Sequence, residues 1–170
     1  MFQSLPHNPL VDAIEGATRS PYSHCGIVLQ REGRFYVLEA IGPVKETALD
    51  EWLARGRLQQ FAVFRFKEPY RSRIPRIIER ARLLLGRPYD NHYDFDDARI
   101  YCSELVFKAF RAEVGEDLGK VRRLGDLGWK PYTVTILQIE NGALPLDREM
   151  ITPKDLSEGN QLEKVFAHGI

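Results

Sequence analysis

The sequence predicts an α+β fold in which an antiparallel sheet packs against helices. Helix-like and strand-like segments follow one another without the regular strand–helix–strand repeat that builds a parallel sheet. Two strand-like runs, HCGIVLQ (24–30) and RFYVLEA (34–40), are separated by a short turn, as in an antiparallel hairpin. The length of 170 residues suits one domain, spanning 1–170, with a substantial hydrophobic core.

The composition excludes several classes of protein. The 24 Lys and Arg residues balance the 24 Asp and Glu residues, so nothing indicates a nucleic-acid partner. The basic run at 71–82 is predicted to be the solvated face of a helix. The chain has no apolar run of about 18 residues and therefore no predicted membrane span. The segment MFQSLPHNPL (1–10) has neither the basic nor the apolar region of a signal peptide.

The N-terminal half is predicted to contain two helices and three strands. Asn8 is a suitable helix cap before Pro9, and Thr47 is a suitable cap with Asp50 three residues later. Gly33 can take the positive φ that the turn between the first two strands requires. The predicted elements are helix 8–20, strand 24–30, strand 34–40, helix 47–56 and strand 61–67.

The C-terminal half is predicted to be mainly helical. Leu105, Val106 and Phe110 form the apolar stripe of a helix that Gly115 ends. The segment 132–140 fits either a helix or a strand, and both remain open. The predicted elements are helix 72–86, a polar and aromatic-rich loop at 87–99, helix 102–115, a capped helix start at 152–156 and strand 162–166.

Cys102, in IYCSELVFKAF (100–110), lies at the start of a predicted helix. Unsatisfied N–H groups and the helix dipole at such a position stabilise a thiolate, and the same N–H groups can hold an oxyanion. The alternative is a packing residue, because cysteine is small and commonly buried. The other cysteine, Cys25, lies in a predicted strand. The two cysteines could pair, but nothing in the sequence requires a disulfide.

His24 and Glu39 are the polar residues of two otherwise apolar strands. A turn of two or four residues makes paired positions sum to an odd number, and 24 and 39 sum to 63. Both side chains can therefore share a face about 5 Å apart, where the carboxylate would orient the ring. A three-residue turn would separate them. Gly26 would leave room for a group beside the strand. The alternatives are a structural histidine and a surface glutamate.

Four ordered motifs together resemble the permuted NlpC-type papain-like cysteine hydrolases, the YiiX/YebB-like group. They are SPYSHCGIV (20–28), VLEA (37–40), GRPYD (86–90) and YCSELV (101–106). The permuted group has the order histidine, acid, cysteine, which is also the order here. The resemblance runs from about residue 18 to the end and is weakest between 116 and 150. It implies a permuted papain-like (NlpC-type) fold, an antiparallel sheet or small barrel packed against helices, with the nucleophile at a helix N-terminus.

The resemblance also implies a role for each matched residue. Cys102 matches the nucleophile, His24 the general base, and Glu39 the residue that orients the histidine. Among the surrounding residues, Tyr89 matches a tyrosine that helps to line the oxyanion site, although an aromatic loop anchor is the alternative. Tyr22 and Ser23 are expected to shape the mouth of the pocket.

The implied activity is hydrolysis of an amide bond in a peptide or amino-acid-containing substrate through a thioester acyl-enzyme. No cofactor and no metal are expected. Lipid or thioester acyl chemistry is the first alternative, and an apolar groove beside Cys102 would favour it over a peptide. A catalytically silent binding module on the same fold is the second. The expected partner is a small molecule or peptide, such as a cell-wall peptide or a lipid acyl group. Relatives are often exported to the cell envelope, while a cytoplasmic location is equally open.

The start of the chain and the acidic segment at 90–97 give two further expectations. The family usually opens with a strand of the type G-D-I-L-F, which is expected to be short or missing here because the chain starts MFQS (1–4). The acidic segment DNHYDFDD (90–97) has no EF-hand spacing, and it predicts a solvated or mouth-lining loop rather than a metal site.

Overall fold

Nine strands and six α-helices make up the computed structural model, which describes all of residues 1–170. The strands are β1 (Phe2–Gln3), β2 (His24–Cys25), β3 (Ile27–Arg31), β4 (Arg34–Ala40), β5 (Val44–Ala48), β6 (Phe61–Phe66), β7 (Arg122–Arg123), β8 (Glu149–Met150) and β9 (Leu162–His168). The helices are α1 (Pro9–Thr18), α2 (Leu49–Arg55), α3 (Ile74–Arg82), α4 (Cys102–Val114), α5 (Thr133–Ile139) and α6 (Pro153–Ser157).

The strands form three sheets in which every pairing is antiparallel. A four-stranded sheet has the order β2–β1–β6–β9, a three-stranded sheet has the order β3–β4–β5, and β7 pairs with β8 alone. Helix α4 contacts both β2 and β4, and it therefore lies against strands of the two larger sheets. The predicted α+β fold with antiparallel sheets packed against helices is confirmed. None of the helices has the length and apolar character needed to cross a membrane.

Helix α4 forms the centre of the hydrophobic core. Leu105 and Phe110 are completely buried, and Phe110 stacks on Phe66 of β6 with 5.3 Å between the ring centroids. Burial of side chains of this size contributes about 1.5–3 kcal/mol each. The predicted solvated face at 71–82 is confirmed, because the exposed arginines of this segment lie on α3 and its preceding turn and surround Glu113 of α4. The core thus fixes the first turn of α4, where Cys102 lies.

Three of the predicted helix ends, at Asn8, Thr152 and Gly115, agree with the structure, whereas the predicted helix 72–86 is shorter and spans Ile74–Arg82. The side chain of Asn8 accepts hydrogen bonds from the backbone N–H groups of residues 10 and 11 at 3.0 Å. Thr152 and Asp155 cap α6 reciprocally, and Gly115 ends α4 with a φ of 83°. The open segment 132–140 forms α5, so the helical spacing of its apolar residues outweighs its β-rich composition.

The predicted strand 24–30 is interrupted at Gly26. β2 on one side belongs to the four-stranded sheet and β3 on the other side to the three-stranded sheet. A Cβ atom at Gly26 would lie 2.5 Å from the side chain of Val37 and 2.9 Å from the carbonyl oxygen of Leu38. The group that lies against Gly26 is therefore β4 itself, and the close approach requires glycine.

The predicted helix 47–56 is wrong at its start. Thr47 lies in β5 opposite Val37, and α2 begins at Leu49 without a side-chain cap. Thr47 with Asp50 has the spacing of a capping box, but the hydroxyl group of Thr47 instead donates a hydrogen bond to Glu39. A tertiary hydrogen bond to Glu39 thus replaces the predicted helix cap, and it places Thr47 beside the carboxylate of Glu39.

Candidate active site

His24 and Glu39 meet in the interior of the protein. His24 Nε2 lies 2.5 Å from Glu39 Oε2, and the two residues are 2% and 0% exposed. They are not cross-strand partners, because His24 pairs with Gln3 and Glu39 pairs with Lys45. The hairpin turn between β3 and β4 has two residues, as the pairing arithmetic allowed, but the contact depends on the interruption at Gly26. The two side chains therefore reach each other from different sheets.

Two further side chains hold the carboxylate of Glu39. The hydroxyl group of Thr47 donates to Oε1 at 2.6 Å, and Arg55 Nη2 donates to Oε2 at 2.5 Å. Burial opposes the ionised form of Glu39, but hydrogen bonds from His24, Arg55 and Thr47 outweigh burial and lower its pKa to about 2. Glu39 therefore stays negatively charged at all physiological pH values.

The contacts of His24 fix its orientation and its charge. Because Nε2 faces Glu39, Nδ1 is the nitrogen left to face Cys102. Burial opposes the charged ring, but hydrogen bonds with Cys102 and Glu39 outweigh burial and raise the pKa of His24 to about 9. At neutral pH the ring is therefore mainly protonated.

Cys102 is the first residue of α4 and lies among His24, Cys25 and Tyr89. A hydrogen bond from the Cys25 thiol lowers the pKa of Cys102; burial opposes this, and the hydrogen bond and charge of His24 add to it. Burial raises the pKa of Cys25 well above its usual value, so Cys25 remains a thiol that can donate. Both cysteines are free. The site therefore favours a thiolate on Cys102 beside an imidazolium on His24.

Glu104 does not oppose this thiolate at close range. One carboxylate oxygen accepts a hydrogen bond from the Tyr101 N–H group at 3.2 Å, and the other lies 2.7 Å from Lys108 Nζ. Burial raises the pKa of Glu104 to about 7, which further limits its negative charge. Its position in the first turn of α4 is that of a helix-capping residue.

The remaining predicted residues lie in different places. Tyr89 lines the His24 cavity close to Cys102, and burial raises the pKa of Tyr89 so that it stays a donor. Ser23 Oγ accepts a hydrogen bond from the Leu5 N–H group at 2.9 Å and borders the site. Tyr22 instead packs against Phe2 in the aromatic core, with 5.4 Å between the ring centroids. Tyr22 lines neither of the two cavities at the site.

Two cavities meet at these residues. The Cys102 cavity has a volume of about 100 Å³, and its wall is almost entirely apolar. The His24 cavity has a volume of about 200 Å³, and no Asp, Glu, Lys or Arg contributes to its lining. Both cavities are bordered by Leu10, Ile14, Ser23 and Tyr93. A substrate that spans the two cavities would present its reacting bond between Cys102 and His24.

The residues missed by the sequence interpretation are those whose role depends on tertiary contacts. Arg55 lies in the last turn of a helix, where a basic residue is common, and Cys25 lies in an apolar strand. Tyr93 lies in the segment 90–97, for which the sequence predicts a solvated or mouth-lining loop. The sequence neighbours of these residues do not distinguish them from ordinary surface or core positions.

Comparison with known proteins gives a consistent result. A sequence model of the permuted papain-like amidases, the YaeF/YiiX or C92 family, matches residues 1–166. The uncharacterised protein YiiX of Escherichia coli strain K12 is 31% identical over 156 residues, which cover 90% of this chain and 77% of YiiX. The crystal structure of the metalloprotein YiiX from Escherichia coli O157:H7 superposes with a TM-score of 0.92 at 30% identity, covering 98% of this chain and 94% of that one.

Proposed function

The chain belongs to the permuted papain-like amidase family YaeF/YiiX, and on that premise we propose that it is a cysteine-dependent amidase. Cys102 is the nucleophile, His24 the acid and base, and Glu39 the group that orients His24. The observation that carries this proposal is the position of His24, which lies 2.5 Å from Glu39 and close enough to Cys102 for the two residues to shift each other's pKa. This is the arrangement of nucleophile, base and orienting group that acyl transfer requires.

In the first step the Cys102 thiolate attacks the acyl carbon of the substrate. The carbonyl oxygen becomes an oxyanion, which the backbone N–H of Cys102 can stabilise because the first N–H groups of a helix have no intrahelical acceptor. The hydroxyl group of Tyr89 lies beside the thiol and supplies a second donor. The lowered pKa of Cys102 and the raised pKa of His24 favour a thiolate beside an imidazolium, and from that state the attack requires no prior proton transfer.

In the second step the tetrahedral intermediate collapses to a thioester on Cys102. His24 gives its Nδ1 proton to the departing amine, so the leaving group must lie on the His24 side of the site. The neutral ring then removes a proton from water, the hydroxide attacks the thioester, and Cys102 leaves as a thiolate. The acid product departs and His24 is again protonated.

A second candidate function is hydrolysis or transfer of a lipid-like acyl group, and the Cys102 cavity favours it. The acyl part of any substrate bonds to Cys102 and therefore occupies this cavity. Leu127, Ile136 and Ile139 contribute to its wall, and its charged members Glu140 and Arg148 are paired with each other. A long apolar acyl group fits this wall better than a polar peptide. The amide and lipid functions thus share one acyl specificity and differ in the leaving group.

A metal ion has no suitable set of ligands in this chain. The related Escherichia coli structure is described as that of a metalloprotein. Here no three side chains of His, Cys, Asp or Glu are arranged to hold a metal ion. Arg55 also places a positive charge on the Glu39 oxygen nearest His24, which opposes a cation at that point. The proposed mechanism therefore uses protein groups alone.

The proposal is tested with decanoyl anilide, decanoyl ester and short-peptide anilide substrates. We expect turnover of the decanoyl amide by the wild type, with a loss of about 10³-fold or more in Cys102→Ala and His24→Ala. Preferential turnover of the ester would favour the lipid function. If no substrate is turned over and iodoacetamide alkylates Cys102 no faster than a free cysteine, the protein is a binding module and both enzymatic functions are wrong.

A further inference from the structure

Tyr93 has an unfavourable backbone conformation. Its φ is 59°, in the left-handed region that bulky residues rarely adopt. The carboxylate of the buried residue Asp90 enforces this turn, because it accepts hydrogen bonds from the N–H groups of His92 at 2.9 Å and Asp94 at 2.5 Å. Two anchored residues on either side of Tyr93 thus hold it in place. Strained residues of this kind persist where the position of a side chain matters.

The hydroxyl group of Tyr93 is buried, and no group lies in hydrogen-bonding geometry to it, although the hydroxyl group of Tyr89 is a near polar neighbour. A buried donor in this state is unfavourable, and in native proteins it is uncommon. By contrast, the hydroxyl group of Tyr101, whose ring packs on Tyr93 at 5.1 Å, accepts a hydrogen bond from the Ile151 N–H group. Tyr93 therefore combines two unfavourable features that its neighbour avoids.

The position of Tyr93 explains both features. It borders the Cys102 cavity and the His24 cavity, so its side chain lies where the reacting bond of a spanning substrate must be. Its ring packs edge-on against Tyr89, with 6.4 Å between the centroids. Burial and the nearby Cys102 raise the pKa of Tyr93, and the neighbouring hydroxyl group of Tyr89 opposes this rise only in part, so the group remains a neutral donor. An unused donor at this point is complementary to negative charge that forms only during the reaction.

We propose that Tyr93 is a catalytic residue whose hydroxyl group donates a hydrogen bond to the oxyanion of the tetrahedral intermediate. This inference rests on the proposed cysteine mechanism and adds a donor to the Cys102 N–H group and Tyr89. The free protein leaves the hydroxyl group unpaired, and the intermediate supplies the missing acceptor. Binding energy is thereby gained in the transition state and not in the ground state.

The test is Tyr93→Phe, which removes one oxygen atom and keeps the ring. We expect kcat on the decanoyl substrate to fall by about 10²-fold with KM little changed, as for the loss of one oxyanion donor. We also expect thermal stability to rise or stay equal, because an unpaired buried hydroxyl group is removed. The matched control Tyr101→Phe should lower thermal stability, since it leaves the Ile151 N–H group without its acceptor.

A second measurement is independent of turnover. Decanal reacts with the Cys102 thiolate: a C–S bond forms, the carbonyl π bond breaks, and the oxygen takes the negative charge or the proton of His24. Tyr93→Phe should weaken decanal binding about tenfold or more while leaving decanol binding and the alkylation rate of Cys102 unchanged. Full kcat, or unchanged decanal affinity, in Tyr93→Phe overturns the inference. If the wild type turns over no substrate, the proposed function fails, whereas the decanal comparison still decides the role of Tyr93.

Discussion

Arg55 and His24 share one oxygen atom, Oε2 of Glu39, and each lies 2.5 Å from it. One carboxylate oxygen therefore has two cationic partners. The positive charge of Arg55 keeps Glu39 ionised. The same charge offsets part of the negative potential of Glu39 at His24, and it therefore limits the rise in the pKa of His24. The arrangement moderates the basicity of the histidine, and it links a residue of α2 to the chemistry at Cys102.

Replacement of Arg55 by methionine tests this link. With the guanidinium gone, His24 faces the whole charge of Glu39, and its pKa should rise above the wild-type value of about 9. Titration of the His24 ring by NMR measures the change directly. Arg55→Lys keeps the positive charge and should titrate like the wild type. A downward shift in Arg55→Met would show that Arg55 holds Glu39 in position rather than dividing its charge.

Thr47→Val should reduce stability. The substitution keeps the β-branched shape that suits β5 but leaves Glu39 Oε1 without its donor in a buried environment. We expect a loss of about 1–3 kcal/mol in the free energy of unfolding, measured with urea. Thr133→Val removes an exposed hydroxyl group that bonds only the carbonyl of Lys130, so its effect should be smaller. Equal effects of the two substitutions would contradict a special role for Thr47.

Cys25→Ala should make Cys102 less reactive at low pH. The Cys25 thiol donates to the Cys102 thiolate, so its loss raises the pKa of Cys102 and shrinks the thiolate fraction below that pKa. The measurement is the rate of iodoacetamide alkylation of Cys102 against pH. Cys25→Ser retains a donor and should keep more of the wild-type profile than Cys25→Ala. Identical profiles for the wild type and Cys25→Ala would rule out this contact as the cause of the low pKa.

The ion pair of His24 and Glu39 should stabilise the fold within a limited pH window. Glu39 has a lowered pKa, so its contribution is present above its ordinary value of 4.5 and is lost as pH falls toward about 2. His24 has a raised pKa, so its contribution is complete below 6.5 and is lost as pH rises through about 9. The stability difference between the wild type and Glu39→Gln should therefore be largest between pH 4.5 and 6.5. A difference that is independent of pH would contradict the ion pair.

Ile136→Trp should separate acyl binding from the reactivity of Cys102. Ile136 is half-buried in the wall of the Cys102 cavity, so a larger side chain can enter the cavity without disrupting the core. Turnover of the decanoyl substrate should fall about tenfold or more, while alkylation by the small reagent iodoacetamide continues. Val134→Trp, at a position that is 69% exposed and outside the cavity lining, is the matched control. Equal turnover by both variants would place the acyl group elsewhere.

The sequence predicted the parts of the site that local pattern and family resemblance determine. Cys102 at a helix start is a local feature, and the structure places it at the first position of α4. His24 and Glu39 stood out as polar residues in apolar strands, and the structure brings them into contact. The sequence did not predict that His24 and Glu39 would lie in different sheets. The strand is interrupted at Gly26 because this residue packs against β4, and no turn motif in the sequence indicates the interruption.

The remaining features depend on competition between local and tertiary contacts. Thr47 has good capping chemistry, yet a buried carboxylate is a stronger attraction for its hydroxyl group than an exposed helix end. Arg55 and Tyr93 resemble ordinary residues of a helix end and a loop, and only the assembled structure places one on Glu39 and the other between the two cavities. The sequence therefore pointed to Cys102, His24 and Glu39 more readily than to the residues that surround them.

The interruption of the strand at Gly26 means that His24 belongs to one sheet and Glu39 to the other. Their ion pair consequently links the four-stranded sheet to the three-stranded sheet, in addition to its place in the candidate active site. Losing one member leaves a buried charge alone between the layers, whereas replacing both by apolar residues can preserve cohesion. A relative that kept this fold without the proposed activity should therefore carry apolar residues at both positions, and that joint replacement would distinguish it from a chain that retains the site.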